Sequence, residues 1–186
     1  IRTIDTHTGD PEQLLVRVRY AWTGPADRWL VTFDGDYHAV DLETGARTDL
    51  TADLDTEFAN VRYDTPTDLL PPWWFFPTWS EDGDTVLVVD RWDVWRLDLD
   101  GSRADRLTDG ADRQLEHRVV DLDPETPGVD LSAPVWFSLR GEADERRGYA
   151  RLDAGASAPT VLLLDDAMIG SLTRAEDADV YVYRVE

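Results

Sequence analysis

One short pattern recurs four times along the chain: "TIDTHTGDPEQLL" from Thr3, "AVDLETGARTDLT" from Ala39, "RLDLDGSRADRLT" from Arg96 and "RLDAGASAPTVLL" from Arg151. Each copy carries an apolar residue, an aspartate, a turn containing glycine, and a second run that closes on leucine. The aspartates are Asp5, Asp41, Asp98 and Asp153, at intervals of 36, 57 and 55 residues. Two short runs joined by a glycine-bearing turn read as a hairpin. Recurrence at this interval constrains the fold more than composition does. A unit this small cannot bury both of its faces alone, so neighbouring units must stack on it.

Upstream of three copies lies a second apolar run: "RWLVTF" from Arg28, "TVLVVD" from Thr85 and "PVWFSL" from Pro134. A fourth such run, "DVYVYRV" from Asp179, has no hairpin after it. A further strand ahead of each run, such as "FFPTW" before Ser80, makes four strands per unit. The clearest unit is "PTWSEDGDTVLVVDRWDVWRLDLDGSRADRLTDG", residues 77–110. Pro77 and Trp79 are placed in its outgoing strand, and Ser80 to Gly83 form a turn in which glycine is free to take positive φ. Val86 to Val89 is continuously apolar, as a strand covered on both faces requires. Alternation follows, with Trp95, Leu97 and Leu99 on one face and Val94, Arg96 and Asp98 on the other; Asp100-Gly101 supplies the hairpin turn.

Four-stranded units at this spacing are expected of a β-propeller. The expected fold is therefore all-β: a β-propeller fragment of four-stranded antiparallel blades, about three full blades plus two half-blades. One partial domain covers 1–186, with a half-blade at 1–16, blades at about 17–52, 70–110 and 117–165, and a half-blade at 168–186. Open strand edges at the two ends invite self-association.

The net charge of −21 repels phosphate backbones, so nucleic-acid binding is not expected. All 18 basic residues are arginine. Acids dispersed over strands and turns, with no lysine, resemble the surface of proteins adapted to high salt, where screening relieves self-repulsion. Absence of cysteine excludes disulfides, thiolate metal sites and a cysteine nucleophile. No apolar run approaches the roughly 20 residues of a spanning helix, so membrane insertion is not expected. The polar opening "IRTIDTHTGDPEQ", without an initiator Met, is expected of a segment inside a longer protein.

The stretches "PTWSEDGDTVLVV" and "DVWRLDLDGSRADRLTDG" resemble the repeat of TolB-type propellers and of the propeller in prolyl-oligopeptidase-type serine peptidases, in which a Trp-Ser-x-Asp-Gly turn precedes a strand and Leu-Thr ends the blade. Longer segments are similar to a bacterial branch of those peptidases: "YHAVDLETGARTDLT", "YDTPTDLLPPWWFFPTWSEDGDTVLVVDRWDVWRLD" and "HRVVDLDPETPGVDLSAPVWFSL". The resemblance implies a non-catalytic propeller that gates the access of short peptides to an α/β-hydrolase domain of the same polypeptide and docks against it. It also implies a secreted or periplasmic location. A TolB-like interaction propeller without an attached enzyme is the alternative. No Gly-x-Ser-x-Gly elbow occurs; Gly155-Ala156-Ser157-Ala158-Pro159 has proline where the last glycine is needed. The chain by itself is thus not expected to be an enzyme.

Other chemistries fit the residues less well. Aligning Asp98, Asp100 and Gly101 to a calcium loop puts Arg96 first and Leu107 last, neither of which can coordinate as required. Carboxylate pairs for glycoside hydrolysis occur by chance among 39 acids. His7, His38 and His117 are too dispersed for a local metal motif, and no cofactor is implied. His38 takes the repeat position held by Trp95 and Ala150, which makes it a packing residue; His117 is placed at the start of a strand. Four residues remain as candidates for partner binding. Trp73 and Trp74 lie in the aromatic segment "LLPPWWFFP", which is expected either to wedge between blades or to protrude as an anchor. Arg91 and Trp92 stand outside the repeat pattern.

Overall fold

The computed structural model describes residues 2–4, 8, 11–13, 18, 20–60, 76–123, 125–176 and 178–186. A first hairpin pairs β1 (Arg2–Ile4) with β2 (Pro11–Gln13). Three four-stranded antiparallel meanders follow. The first contains β3 (Tyr20–Thr23), β4 (Trp29–Phe33), β5 (Tyr37–Asp41) and β6 (Arg47–Asp49). The second contains β7 (Thr78–Trp79), β8 (Thr85–Val89), β9 (Val94–Asp98) and β10 (Ala104–Arg106). A single 3₁₀ turn, Ala111–Arg113, leads to the third, with β11 (Leu115–Val120), β12 (Val135–Gly141), β13 (Arg147–Leu152) and β14 (Thr160–Asp165). A last hairpin pairs β15 (Ile169–Arg174) with β16 (Tyr181–Val185). No α-helix occurs among the described residues.

Side-chain alternation turns this order into a stack. Every residue of β8 is buried. Val86 and Val88 join Trp29, Val31 and Phe33 of the first sheet and Leu97 and Leu99 of their own in one apolar cluster. Leu87, Val89 and Val94 point the other way, into a cluster with Leu115, Val135, Phe137, Leu139 and Leu152. The second sheet is thus covered on both faces, the condition that its unbroken valine and leucine run calls for. Each such side chain taken out of water contributes roughly 1.5–3 kcal/mol before entropic costs.

Two details differ from the sequence expectation, each for a physical reason. The first strand of the second sheet begins at Thr78 and not at Phe76 or Pro77: Pro77 has no N–H to pair, and Phe76 stands exposed with its ring edge-on to Trp22 at 6.3 Å, while Phe75 lies outside the described residues. The strand carrying His117 begins two residues earlier, at Leu115, because the left-handed Gln114 ends the 3₁₀ turn there. Val129 reaches back from the connection between β11 and β12 to the first strand of the second sheet. Its N–H donates to Trp79 O (2.8 Å) and its carbonyl accepts from Glu81 N (3.0 Å), which covers that strand's open edge. Gly128, at φ 93°, permits the approach; a Cβ there would lie 2.6 Å from Ser80 O.

Candidate functional site

In an antiparallel meander the turn between the second and third strands emerges at the same end as the exit from the fourth. At that end of the second sheet the β8–β9 turn, the exit from β10 and the segment after β6 surround a cleft of about 330 Å³. Its walls carry Asp55, Thr56 and Glu57 from the segment after β6, Asp90 to Asp93 and Trp95 from the second sheet, and Arg106.

Two aspartates build the floor: Asp90 is hydrogen-bonded through both oxygens, and Asp93 through Oδ1, with Arg106 Nη1 3.9 Å from its Oδ2. Asp90 Oδ1 accepts from the backbone N–H groups of Trp92 and Asp93, both at 2.7 Å. Its Oδ2 accepts from Trp95 Nε1 (2.8 Å) and from the Thr56 hydroxyl (3.0 Å). Four donors leave this buried carboxylate no unmet demand. Asp93, 1% exposed, accepts from the Thr108 hydroxyl (2.6 Å) and from Gly110 N. Thr108 Oγ1 in turn accepts from Val94 N at 3.0 Å. Gly110 is required here, since a Cβ would lie 2.0 Å from Leu115 O. The Asp90–Asp93 turn is thereby fastened to the segment that leads into the third sheet.

His117 completes that fastening from the other side. Its N–H donates to Trp92 O at 2.9 Å, and its ring is fully buried, edge-on to Phe137. Nδ1 lies 3.1 Å from Leu115 O, an acceptor, which assigns the proton to Nδ1. Nε2 has no hydrogen-bond partner among the described residues. Burial pushes the imidazole below its ordinary pKa, against the opposing pull of the Asp93 carboxylate.

Arg91 and Trp92 form the rim. Arg91 lies over the Trp92 ring at 4.5 Å and donates from Nη2 to both oxygens of Glu142, at 2.8 and 2.9 Å. Glu142 belongs to the β12–β13 turn, so the rim spans the second and third sheets. Trp73, Trp74 and His7 lie outside the described residues. His38 is buried on β5, with Nε2 2.8 Å from Asp34 Oδ1 and Nδ1 3.5 Å from Asp49 Oδ2. Against burial's upward push, hydrogen bonds from His38 and Arg47 hold the Asp34 carboxyl below its usual range.

Three of the repeated aspartates have different partners, and Asp5 lies outside the described residues. Asp41 accepts from Glu43 N and Thr44 N, both at 2.9 Å; Asp98 accepts from the Thr85 hydroxyl at 2.9 Å; Asp153 pairs with Arg151 at 2.8 Å. The Ser80 hydroxyl donates to Asp82 and holds its carboxyl low, fixing the turn before β8. Among the described residues no group of three or more His, Asp or Glu is arranged to hold a metal ion.

No protein-family model and no curated protein matches the chain. Solved structures do. An oligogalacturonate lyase in complex with manganese aligns over 100% of this chain and 52% of its own, with TM-score 0.57 and 17% identity. The oligogalacturonate lyase of Vibrio parahaemolyticus aligns over the same shares, with TM-score 0.58 and 14% identity. The fold is a β-propeller. TolB from Acinetobacter baumannii aligns over 99% of this chain and 44% of its own, at TM-score 0.44 and 17% identity. The chain spans about half the length of the lyase structures it matches. The three meanders are blades, and the cleft opens at one end of the middle blade.

Of the four residues offered for partner binding, Arg91 and Trp92 line this cleft; Thr56, Asp90 and Asp93 were not among them. Thr56, Asp93 and Thr108 are brought together only by the meander's geometry. The signal available was topological: the β8–β9 turn and the strand exits after β6 and β10 had to share one end.

Proposed function

We propose that this chain is a non-catalytic recognition segment of a propeller, which selects extended peptides by shape and charge at the cleft of the middle blade. The observation that supports this reading is the state of the cleft's carboxylates. Asp90 is held by donors on both oxygens and Asp93 through Oδ1, so that both shape the site, while Asp55 and Glu57 stay exposed in a lining that also includes Trp92. Such a mouth favours cationic, partly aromatic or aliphatic peptide segments through charge attraction and ring contact. The finer reading joins the cleft to catalysis elsewhere: the propeller admits short peptides to an α/β-hydrolase domain and docks on it through the Arg91–Trp92 rim. The resemblance of the Trp-Ser-x-Asp-Gly repeat to prolyl-oligopeptidase-type propellers supports it. Oligogalacturonate, named for the matched lyases, is a polyanion, and the chain's −21 charge opposes its capture.

Peptide titration followed by tryptophan fluorescence tests the proposal. An arginine-rich extended peptide is expected to bind, with affinity falling in salt and falling several-fold in Glu57→Gln and Trp92→Ala. Equal binding of an acidic peptide, or none of either, overturns it. The hydrolase link is tested separately on the reading frame. A Gly-x-Ser-x-Gly elbow within roughly 250 downstream residues supports it, and a frame without one removes it.

A further inference from the structure

The two floor carboxylates of the cleft are not equally satisfied. Both oxygens of Asp90 accept from donors, supplied by its own turn, by Trp95 and by Thr56. Asp93 differs: Oδ1 accepts from the Thr108 hydroxyl and from Gly110 N, while no hydrogen bond reaches Oδ2 among the described residues. The side chain is 1% exposed and lines the cleft. A carboxylate oxygen held this deep without a donor is unfavourable, and a ligand that brings a charged donor relieves it.

One cation of the chain approaches that oxygen. Arg106, the last residue of β10, places Nη1 3.9 Å from Oδ2, beyond hydrogen-bond reach, on a side chain that is 52% exposed. A pair so open to water holds its cation weakly. Arg106 thus marks the path of a guanidinium to Asp93 without completing the contact.

The surroundings suit the same chemistry. At about 330 Å³ the cleft is at the small end of the roughly 300–1,000 Å³ usual for ligand sites, which fits one long side chain. Trp92 and Trp95, both half-buried, line it beside Asp93. The Trp92 ring already carries the Arg91 guanidinium at 4.5 Å, a contact that a planar delocalised cation makes better than an ammonium does. Asp55 and Glu57, exposed in the lining, draw cations toward it. A metal ion is a poor occupant, since both Asp90 oxygens are engaged and no group of three or more His, Asp or Glu is assembled among the described residues. The walls come from the segment after β6, the middle blade and the turn before the third, so the site lies well inside the chain.

We propose that the cleft is a pocket for a single arginine side chain of the bound peptide, with Asp93 Oδ2 accepting from its guanidinium and Arg106 swinging out to admit it. Asp93 then sets specificity, and Arg106 is an internal competitor that a weaker cation does not displace. The pocket presupposes the peptide recognition proposed above and narrows it from cationic segments to one residue type.

Two extended peptides test it, one with a single arginine and one with citrulline in its place, which keeps the shape and removes the charge. Each is titrated into the isotope-labelled chain and followed by the backbone and indole N–H resonances. The arginine peptide is expected to bind about tenfold more tightly and to shift Gly110 N–H, which shares the Asp93 carboxylate. Asp93→Asn keeps an oxygen for Thr108 and Gly110 but turns an amide NH₂ toward the ligand. It is expected to abolish the arginine preference while Gly110 N–H keeps its protection from exchange. Arg106→Gln removes the competitor and is expected to tighten the arginine peptide several-fold, leaving the citrulline peptide unchanged; this result decides if Asp93→Asn loses the Gly110 protection. Equal affinity for the two peptides, a preference that survives Asp93→Asn, or weaker arginine binding in Arg106→Gln overturns the pocket alone. Binding of neither peptide overturns the peptide recognition along with it.

Discussion

The two junctions that hold the middle blade are made of different material. Toward the first blade it packs aromatics: Phe33, Tyr37, Phe58 and Trp95 run ring against ring at 4.8, 5.6 and 5.8 Å, joined by Trp29. Toward the third blade it packs aliphatics, Leu87, Val89, Leu115, Val135 and Leu139, around Phe137, with the polar seam of Asp93, Thr108, Gly110 and His117 alongside. The first junction is broad and non-directional, and a ring lost from it leaves a void. The second depends on donors and acceptors meeting at fixed positions, so it fails by leaving a polar group unpaired. The candidate cleft takes one wall from the segment after β6, beside the first junction, and its floor includes Asp93 of the seam.

Phe58→Ala tests the aromatic junction most severely. Phe58 is 1% exposed between Tyr37 and Trp95, and its truncation is expected to cost about 3–5 kcal/mol in denaturant unfolding. A loss below about 1 kcal/mol would show that the first junction closes without it. The seam is tested by Asp93→Ala, which strands the Thr108 hydroxyl and the Gly110 N–H. A cost of about 2–3 kcal/mol is expected, with faster amide exchange at Gly110; unchanged exchange would show that the carboxylate does not hold it.

How far these junctions were readable from sequence differs in the same way. The repeat announced four-stranded antiparallel units, and the unbroken apolar run of Val86 to Val89 announced a strand buried on both sides. Phe58 was hidden because its segment, "ADLDTEFANVRYDTPTD", has no counterpart in the other units and no periodicity of its own. Asp93 was hidden because its partners come from 15 and 17 residues away, and composition does not rank one carboxylate above 38 others. His38 was correctly placed in packing, but its pairing with Asp34 across the β4–β5 turn carried no prior signal.

Acid distinguishes the junctions next. His117 is buried with its folded pKa depressed, so between that value and the ordinary 6.5 the unfolded chain binds the extra proton. Its contribution is complete above about pH 6.5 and is lost as pH falls below it, with a slope of at most about 1.4 kcal/mol per pH unit for one group. His117→Gln is expected to flatten the stability curve between pH 6.5 and 5, measured by thermal melts, while Phe58→Ala lowers it without changing its shape. Persistence of the slope in His117→Gln would assign it to another group. The smallest effect belongs to the rim. A double-mutant cycle on Arg91 and Glu142 is expected to give a coupling of about 0.2–1 kcal/mol that shrinks in salt, because both are more than a third exposed. A coupling above 2 kcal/mol would make the rim a structural clamp.

The strap from Gly128 and Val129 onto Trp79 and Glu81 bears on whether the units are interchangeable parts. A chain written in repeats suggests modules that could be cut out, shuffled or multiplied. Here the edge of one unit is finished only when the next has been made, some fifty residues later. As synthesis proceeds, the middle blade must wait with an unpaired strand until its successor laps over it. Splicing between residues 110 and 115 would therefore separate a unit from its own fastening, and viable shuffles should carry the strap with the blade it seals.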